Sequence, residues 1–434
     1  MERRLIVTWL VVLLTVAGAA HAEEGYTFDA SEYAKKDLEI KGYLEGKGEA
    51  FNFDRQSAFY RLDHPAGNRP TDSLRGTATG EVTAKYTKDI FSFDMTFHAD
   101  GQRDTVNGNS SETKFYEANL TLQPQTGLSL DIGKKVLKWG KGYAWNPVGF
   151  VERPKDPTDP DLSREGYWMV VGDYTRSFDG PVQTAGLTTV LIPTTPFVNN
   201  DFGPQTGYQD VAGKFSLLVE DTDVDLMILS GGAKSLRYGA DFARNLNARL
   251  EVHGEVAHVA KSQRMLLDSS QKPYADIGEA TSWLLGLRYL TDEATTYILE
   301  YYHNGTGYKA SEQEAFFRLA DQAVDAFQSS GSRTLLSRAN TMRLGYAAQN
   351  SGRDYVNFKV SQDEPLGIVY LTPSLTVIAD VGGHSAMILP ELLYTGITNW
   401  EFRLRFQANV GEKRTEYGEK EAAMKTELRV RRFF

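Results

Sequence analysis

Long runs of strict two-residue alternation constrain this chain more than any other feature. From Asn399 to Val410, Trp400, Phe402, Leu404, Phe406, Ala408 and Val410 fall on one side, with Asn399, Glu401, Arg403, Arg405, Gln407 and Asn409 on the other. Successive strand side chains point to opposite faces, so one face is apolar and the other polar. The division recurs in Phe91, Phe93, Met95 and Phe97 against Ser92, Asp94, Thr96 and His98, and in Leu250, Val252 and Val256 against Arg249, Glu251, His253 and Glu255. The closing segment sets Met424, Thr426, Leu428 and Val430 against Lys425, Glu427, Arg429 and Arg431. A soluble β-sandwich alternates too, because one of its faces packs on a core. Its strands most often have about 5 or 6 residues. The segments here run about 9 to 14, and a tilted transmembrane strand needs about 9 to 11.

Aromatic placement points the same way. Phe51, Phe53, Phe91, Tyr116, Trp139, Trp168, Tyr238, Trp283, Tyr289, Tyr301, Trp400, Phe433 and Phe434 fall near segment ends, which predicts the two interfacial girdles of an outer-membrane barrel. The expected fold is all-β: a closed antiparallel transmembrane β-barrel. Reading the alternation along the chain gives 18 strands, from 37–54 to 421–434, with 16 open at the boundaries. Short connections such as 88, 124–126, 179–181, 221–222 and 292–293 alternate with long ones at 55–74, 102–112, 138–166, 194–210, 262–278 and 306–352. Short periplasmic turns and long outer loops are the habit of such barrels. The short connection 232–234 breaks the pattern, and Met342 to Ala348 is a candidate extra strand.

The N-terminus reads as an export address. Arg3 and Arg4 precede an apolar run from Leu5 to Val16, followed by Ala20-His21-Ala22. That is the order of a secretory signal peptide. The expected organisation is a signal peptide at 1–22, a short periplasmic segment at 23–36, and the barrel at 37–434. A net charge of −10 argues against nucleic acid as a partner. The chain has no Cys, which excludes disulfides, thiolate metal sites and a cysteine nucleophile.

Two segments do not read as wall. In 306–352, residues 312–328 carry Phe316, Phe317, Ala320, Ala323, Val324 and Phe327 at helical spacing, and Ser311 with Glu314 forms a capping box. A short extracellular helix packed on the barrel rim is expected there, in preference to one plugging the lumen. In 138–166, Pro147, Pro154, Pro157 and Pro160 alternate with Glu152, Asp156, Asp159, Asp161 and Glu165. Proline fixes φ and removes a donor, so this is a stiff acidic loop.

Chemical motifs are few. Asp156, Asp159 and Asp161 lack the glycine and terminal Glu of a calcium loop and read as a solvated acidic stretch. His253 and His258 fall on opposite strand faces and cannot share a metal. No phosphate loop or nucleophile elbow is present, and no cofactor or metal is implied.

The run Gly133-Lys134-Lys135-Val136-Leu137-Lys138-Trp139-Gly140-Lys141-Gly142 resembles a strand-end segment of porin-like Gram-negative outer-membrane families, including the alginate-export-like barrels and a related uncharacterised barrel family. The stretch Gly411 to Gly418, with the strand ending in Phe434, is similar to the same group. Leu428, Val430 and Phe434 match the signal read by the barrel-assembly machinery, and Arg432 departs from it. The resemblance implies an envelope pore among outer-membrane lipid and lipopolysaccharide, and identifies no substrate.

Three functions follow. The first is a channel or exporter for small hydrophilic or anionic solutes. The second is a scaffold for an envelope partner, such as an electron-transfer cytochrome or a secretion component. The third is an outer-membrane hydrolase assembled from several strands, the least favoured because no motif supports it; the chain is expected not to be an enzyme. Association of the barrel with copies of itself is left open. The pore-lining expectation rests on the last two strands. Arg403, Arg405, Lys425, Arg429 and Arg431 point inward with Glu401 and Glu427, leaving three cations unmatched after cross-strand pairing. The acidic loop, folded inward, is expected to face this wall across a constriction.

Overall fold

The computed structural model describes residues 37–67 and 70–434; the expected signal peptide and the segment 23–36 lie outside them. The strands are β1 Leu38–Phe53, β2 Asp72–Lys88, β3 Phe91–Asp104, β4 Gly108–Gln125, β5 Leu128–Lys135, β6 Tyr167–Ser177, β7 Val182–Thr194, β8 Tyr208–Val219 and β9 Thr222–Ser230. They continue as β10 Arg237–Asn245, β11 Leu250–Leu267, β12 Pro273–Leu290, β13 Thr295–His303, β14 Asp354–Gln362, β15 Leu371–Asp380, β16 Ser385–Tyr394, β17 Trp400–Val410 and β18 Ala422–Phe433. Each pairs antiparallel with its sequence neighbours, and β18 pairs with β1 in the register Glu45↔Arg431 and Glu49↔Glu427. The 18-stranded sheet is therefore closed, with no free edge to leave backbone groups unpaired in hydrocarbon.

Burial is inverted relative to a water-soluble protein. Phe91, Phe93, Leu285, Leu404, Phe406 and Leu428 are exposed, while Glu81, Asp131, Glu255, Glu300, Arg405 and Glu427 are buried. An exterior of exposed apolar side chains is stable only against lipid, and it falls on the positions that alternation assigned outward. Trp168, Tyr238, Tyr289 and Phe434 lie on this exterior. Several aromatics expected in the girdles do not, Phe433 among them, which packs on the inward Tyr43 and Arg431. Trp139 is buried in a loop, Tyr116 stacks on His98 at 4.2 Å, and Phe51 and Phe53 line an internal cavity.

Two expected long connections are shorter, because their strands run further. Only 105–107 joins β3 to β4, where the Asp104 carboxylate accepts the Val106 and Asn107 N–H groups at 2.8 and 2.9 Å. At the β11–β12 hairpin, only 268–272 lies outside strands.

Three helices gather at the long-loop end: α1 Ala58–Asp63, α2 Ala310–Ser330 and α3 Thr334–Ala347. The N-cap of α2 lies two residues before the expected one. Its N-cap is Lys309, whose N–H is accepted by Glu312 at 2.8 Å, so the reciprocal Ser311–Glu314 box does not form. Met342 to Ala347 belongs to α3 and adds no strand. Phe316, Phe317, Ala320 and Val324 bury against Phe59 and Leu62 of α1, Met342 and Tyr346 of α3, and the protruding end of β11. Arg61 of α1 ties α2 down through Asp321 and Asp325, each at 2.5 Å.

Candidate functional site

The connection 136–166 crosses the lumen. Trp139, Val148, Phe150 and Val151 pack on the inward Met169, Val171, Val190, Ile192, Met227 and Leu229 of β6, β7 and β9. Further along, Ala144 and Trp145 pack on Leu284, Tyr355, Ile378 and Met387. Inward apolar residues on these strands thus receive a loop where an empty pore would present them to water.

Two buried carboxylates hold the crossing. Glu255 accepts the N–H groups of Lys141, Gly142 and Val148 at 2.6, 2.7 and 3.3 Å. Glu300 accepts those of Tyr143 and Ala144 at 2.5 and 2.8 Å, and lies 3.1 Å from His253 Nε2. Glycine makes this approach feasible. A Cβ on Gly140, whose φ is +96°, would sit 2.7 Å from Glu255 Oε1, and one on Gly142 would meet the Trp145 carbonyl at 2.2 Å. Hydrogen bonds to an ionised acceptor are worth about 1.5–3 kcal/mol each, and an unsatisfied buried carboxylate is costly, so wall and loop depend on each other.

The far end of the loop lands on the arginine wall. Asp159 lies 3.1 Å from Arg405, 3.0 Å from Arg429 and 3.6 Å from Arg403. Burial pushes the Asp159 pKa up, but Arg405 and Arg429 outweigh it and hold the carboxyl at about 2. The other cations have partners as well. Arg405 also binds Glu391 of β16, and Arg403 lies 3.2 Å from Glu401. Arg429 and Lys425 reach Glu427 at 2.8 and 3.4 Å, Lys425 lies 3.5 Å from Glu49, and Arg431 lies 2.7 Å from Glu45. The positive excess seen along the last two strands is therefore matched by Asp159, Glu391, Glu45 and Glu49.

Of the five loop acids singled out in the sequence, Asp159 alone meets the arginines. Glu152 binds Arg164 at 2.9 Å and the Trp139 N–H at 3.1 Å, and burial raises its pKa. Asp156 accepts from Thr158 and, at 2.9 Å, from Gln349 of the helical loop. Glu165 pairs with Lys134, Lys114 and Arg153, and Asp161 is exposed. Leu428 and Phe434 face outward at the seam, where Phe434 and Gly42 exchange both backbone hydrogen bonds at 3.0 Å.

Sequence reasoning missed Glu255, Glu300, Glu391, Glu45 and Glu49 as parts of this site. The β1 carboxylates sit inward by parity, but their partnership with β18 exists only once the barrel closes. Glu391 was hidden because β16 is apolar on both faces, with Met387 and Leu389 inward and Ile388 and Leu392 outward.

No family model matches the chain, and no curated protein matches it. Solved structures do. OccK5 (OpdH) of Pseudomonas aeruginosa aligns over 91% of this chain and 98% of its own, with TM-score 0.51 and 10% identity. OccAB3 of Acinetobacter baumannii aligns over 92% and 99%, with TM-score 0.50 and 11% identity. The porin-like resemblance holds at the level of fold. With its closed wall, lipid-compatible exterior and polar interior, this chain has the fold of the Gram-negative outer-membrane porins.

Proposed function

We propose that this protein is an outer-membrane channel for small hydrophilic solutes, narrowed by the loop 136–166. The observation that supports the reading most is the seating of that loop inside a closed, charge-lined barrel, with Asp159 on Arg403, Arg405 and Arg429. Charged groups lining a narrow passage set its ion preference. Because each inward cation of β17 and β18 has a carboxylate partner, the seated channel is expected to be weakly selective, and an anion preference to emerge when Asp159 is neutralised. Planar-bilayer recording of the purified chain tests this: discrete conductance steps are expected, and their absence at every potential would overturn it.

A scaffold function is the second reading, favoured by the apolar packing of Trp139, Phe150 and Trp145 across the lumen. A filled scaffold does not conduct alone, so the same recording separates the two. The helical loop belongs outside the cell in this proposal. A tag inserted beside Ser330, at the end of α2, should bind antibody on intact cells; labelling only after outer-membrane rupture would reverse the topology.

A further inference from the structure

A cavity of about 320 Å³ lies inside the barrel, beside the contact of Asp159 with the arginines, on the long-loop side. Thr158 lines it, next to Asp159 in the chain. Its size is at the lower end of ligand pockets, and corresponds to on the order of ten waters at roughly 30 Å³ each. That is room for one or two sugar rings.

The charges around the cavity are already answered. Asp104 accepts from Ser73, Arg75 and two backbone N–H groups at 2.8–3.0 Å. Glu416 accepts the Ser351 and Gly352 N–H groups at 3.2 and 3.1 Å and the Tyr355 hydroxyl, with Lys420 at 3.7 Å. A charged solute entering here would have to break such pairs to be held. What remains available is neutral. Asn107, Gln349 and Gln407 present side-chain amides, and Phe53 and the face of Phe51 turned away from the Arg75 guanidinium present rings, while the Asn409 amide is spent on Gln407 and the Ala422 carbonyl. Of the amide groups, Gln407 donates to Asn409 at 3.3 Å and Gln349 donates to Asp156, which leaves their carbonyl oxygens as acceptors. An amide offers a donor and an acceptor side by side, and so matches adjacent hydroxyls. The C–H face of a sugar ring is apolar and packs on an aromatic ring.

We infer that this cavity is a binding subsite for an uncharged, polyhydroxylated solute of one or two sugar rings, beside the contact of Asp159 with the arginines. The inference rests on the channel reading, since it supplies the class of solute that would pass. The test uses the full chain in detergent, where binding is measured without conduction. Sucrose, succinate and glycine serve as neutral, anionic and zwitterionic probes in calorimetric titration and in saturation-transfer NMR. Sucrose should bind in the millimolar range and more tightly than the other two. Two neutral hydrogen bonds at about 0.5–1.5 kcal/mol each amount to roughly tenfold in affinity. The double variant Asn107→Ala with Gln407→Leu should therefore weaken sucrose about tenfold while keeping the folded, heat-modifiable band. Tighter binding of succinate or glycine, no sucrose binding, or sucrose binding unaffected in the folded double variant would overturn the inference. A chain that binds sucrose but never conducts would overturn the channel reading and leave the subsite standing.

Discussion

Asp159 is the side chain on which the proposed constriction turns. Replacing it with Asn keeps the shape and removes the charge shared by Arg403, Arg405 and Arg429. Breaking one side of a buried pair costs roughly 3–5 kcal/mol when nothing else answers the partner; here Glu391 and Glu427 still serve Arg405 and Arg429, so the barrel should fold. Reversal potentials in a salt gradient should shift towards anions. An unchanged reversal potential in a conducting variant would remove these residues from the path. Because the carboxyl sits at about 2, below its ordinary 3.8, the contact keeps its full strength above the ordinary value and loses it as pH falls through about 2. Conductance should not titrate through Asp159 between pH 5 and 8.

Lys234 differs in that the fold disfavours its charged form. Its Nζ donates to the Phe150 carbonyl at 2.8 Å and lies 3.9 Å over the Phe202 ring, and burial brings its pKa down to about 7. The unfolded chain holds this proton up to about 10.4, so between those values the unfolded state binds more protons than the folded one. Stability should therefore rise with pH across that window. The midpoint of thermal unfolding, followed by gel mobility, should climb from pH 7 to pH 10, and Lys234→Met should flatten that part of the climb.

Among the elements, the wall was legible and the lumen was not. Alternation places 18 strands with small boundary shifts, because each lipid-facing strand must present an apolar side chain at every second position whatever its neighbours do. The loop 136–166 obeys no such rule. Its prolines announced stiffness, and its acids suggested an inward fold, but which acid meets which arginine depends on a path through the lumen. Tertiary contacts set that path: Glu255 and Glu300 binding backbone N–H groups more than 100 residues away in sequence. The same holds for α1 and α3, whose shared core with α2 draws on three separate stretches of chain. Glu255→Ala tests the loop as an element. It strands three N–H groups at about 1.5–3 kcal/mol each, and should release the crossing while the ladders persist. Trypsin should then cut at Lys141 or Lys155 in the folded protein, and single-channel conductance should increase. Full resistance to trypsin would mean that apolar packing alone holds the loop.

Closure belongs to the whole molecule, since β1 and β18 come from opposite ends of the chain and meet last by any sequence-local route. The seam is tight at one point and loose at another. A Cβ on Gly42 would lie 2.4 Å from the Glu81 carbonyl oxygen and 2.7 Å from the Phe434 ring, whereas one on Gly48 would meet nothing within 4 Å. Both glycines lie on β1, and Val favours strands over Gly in isolation, so local propensity predicts that either substitution helps. Packing predicts otherwise at Gly42. There Val must push aside backbone of β2 or the terminal ring that completes the β1–β18 pairing, an overpacking cost of about 1–3 kcal/mol or more. Gly42→Val should reduce or abolish the fast-migrating unheated band, and Gly48→Val should retain it. The contrast separates closure from strand propensity: if both variants fold equally well, the contact between Phe434 and Gly42 does not govern the seam.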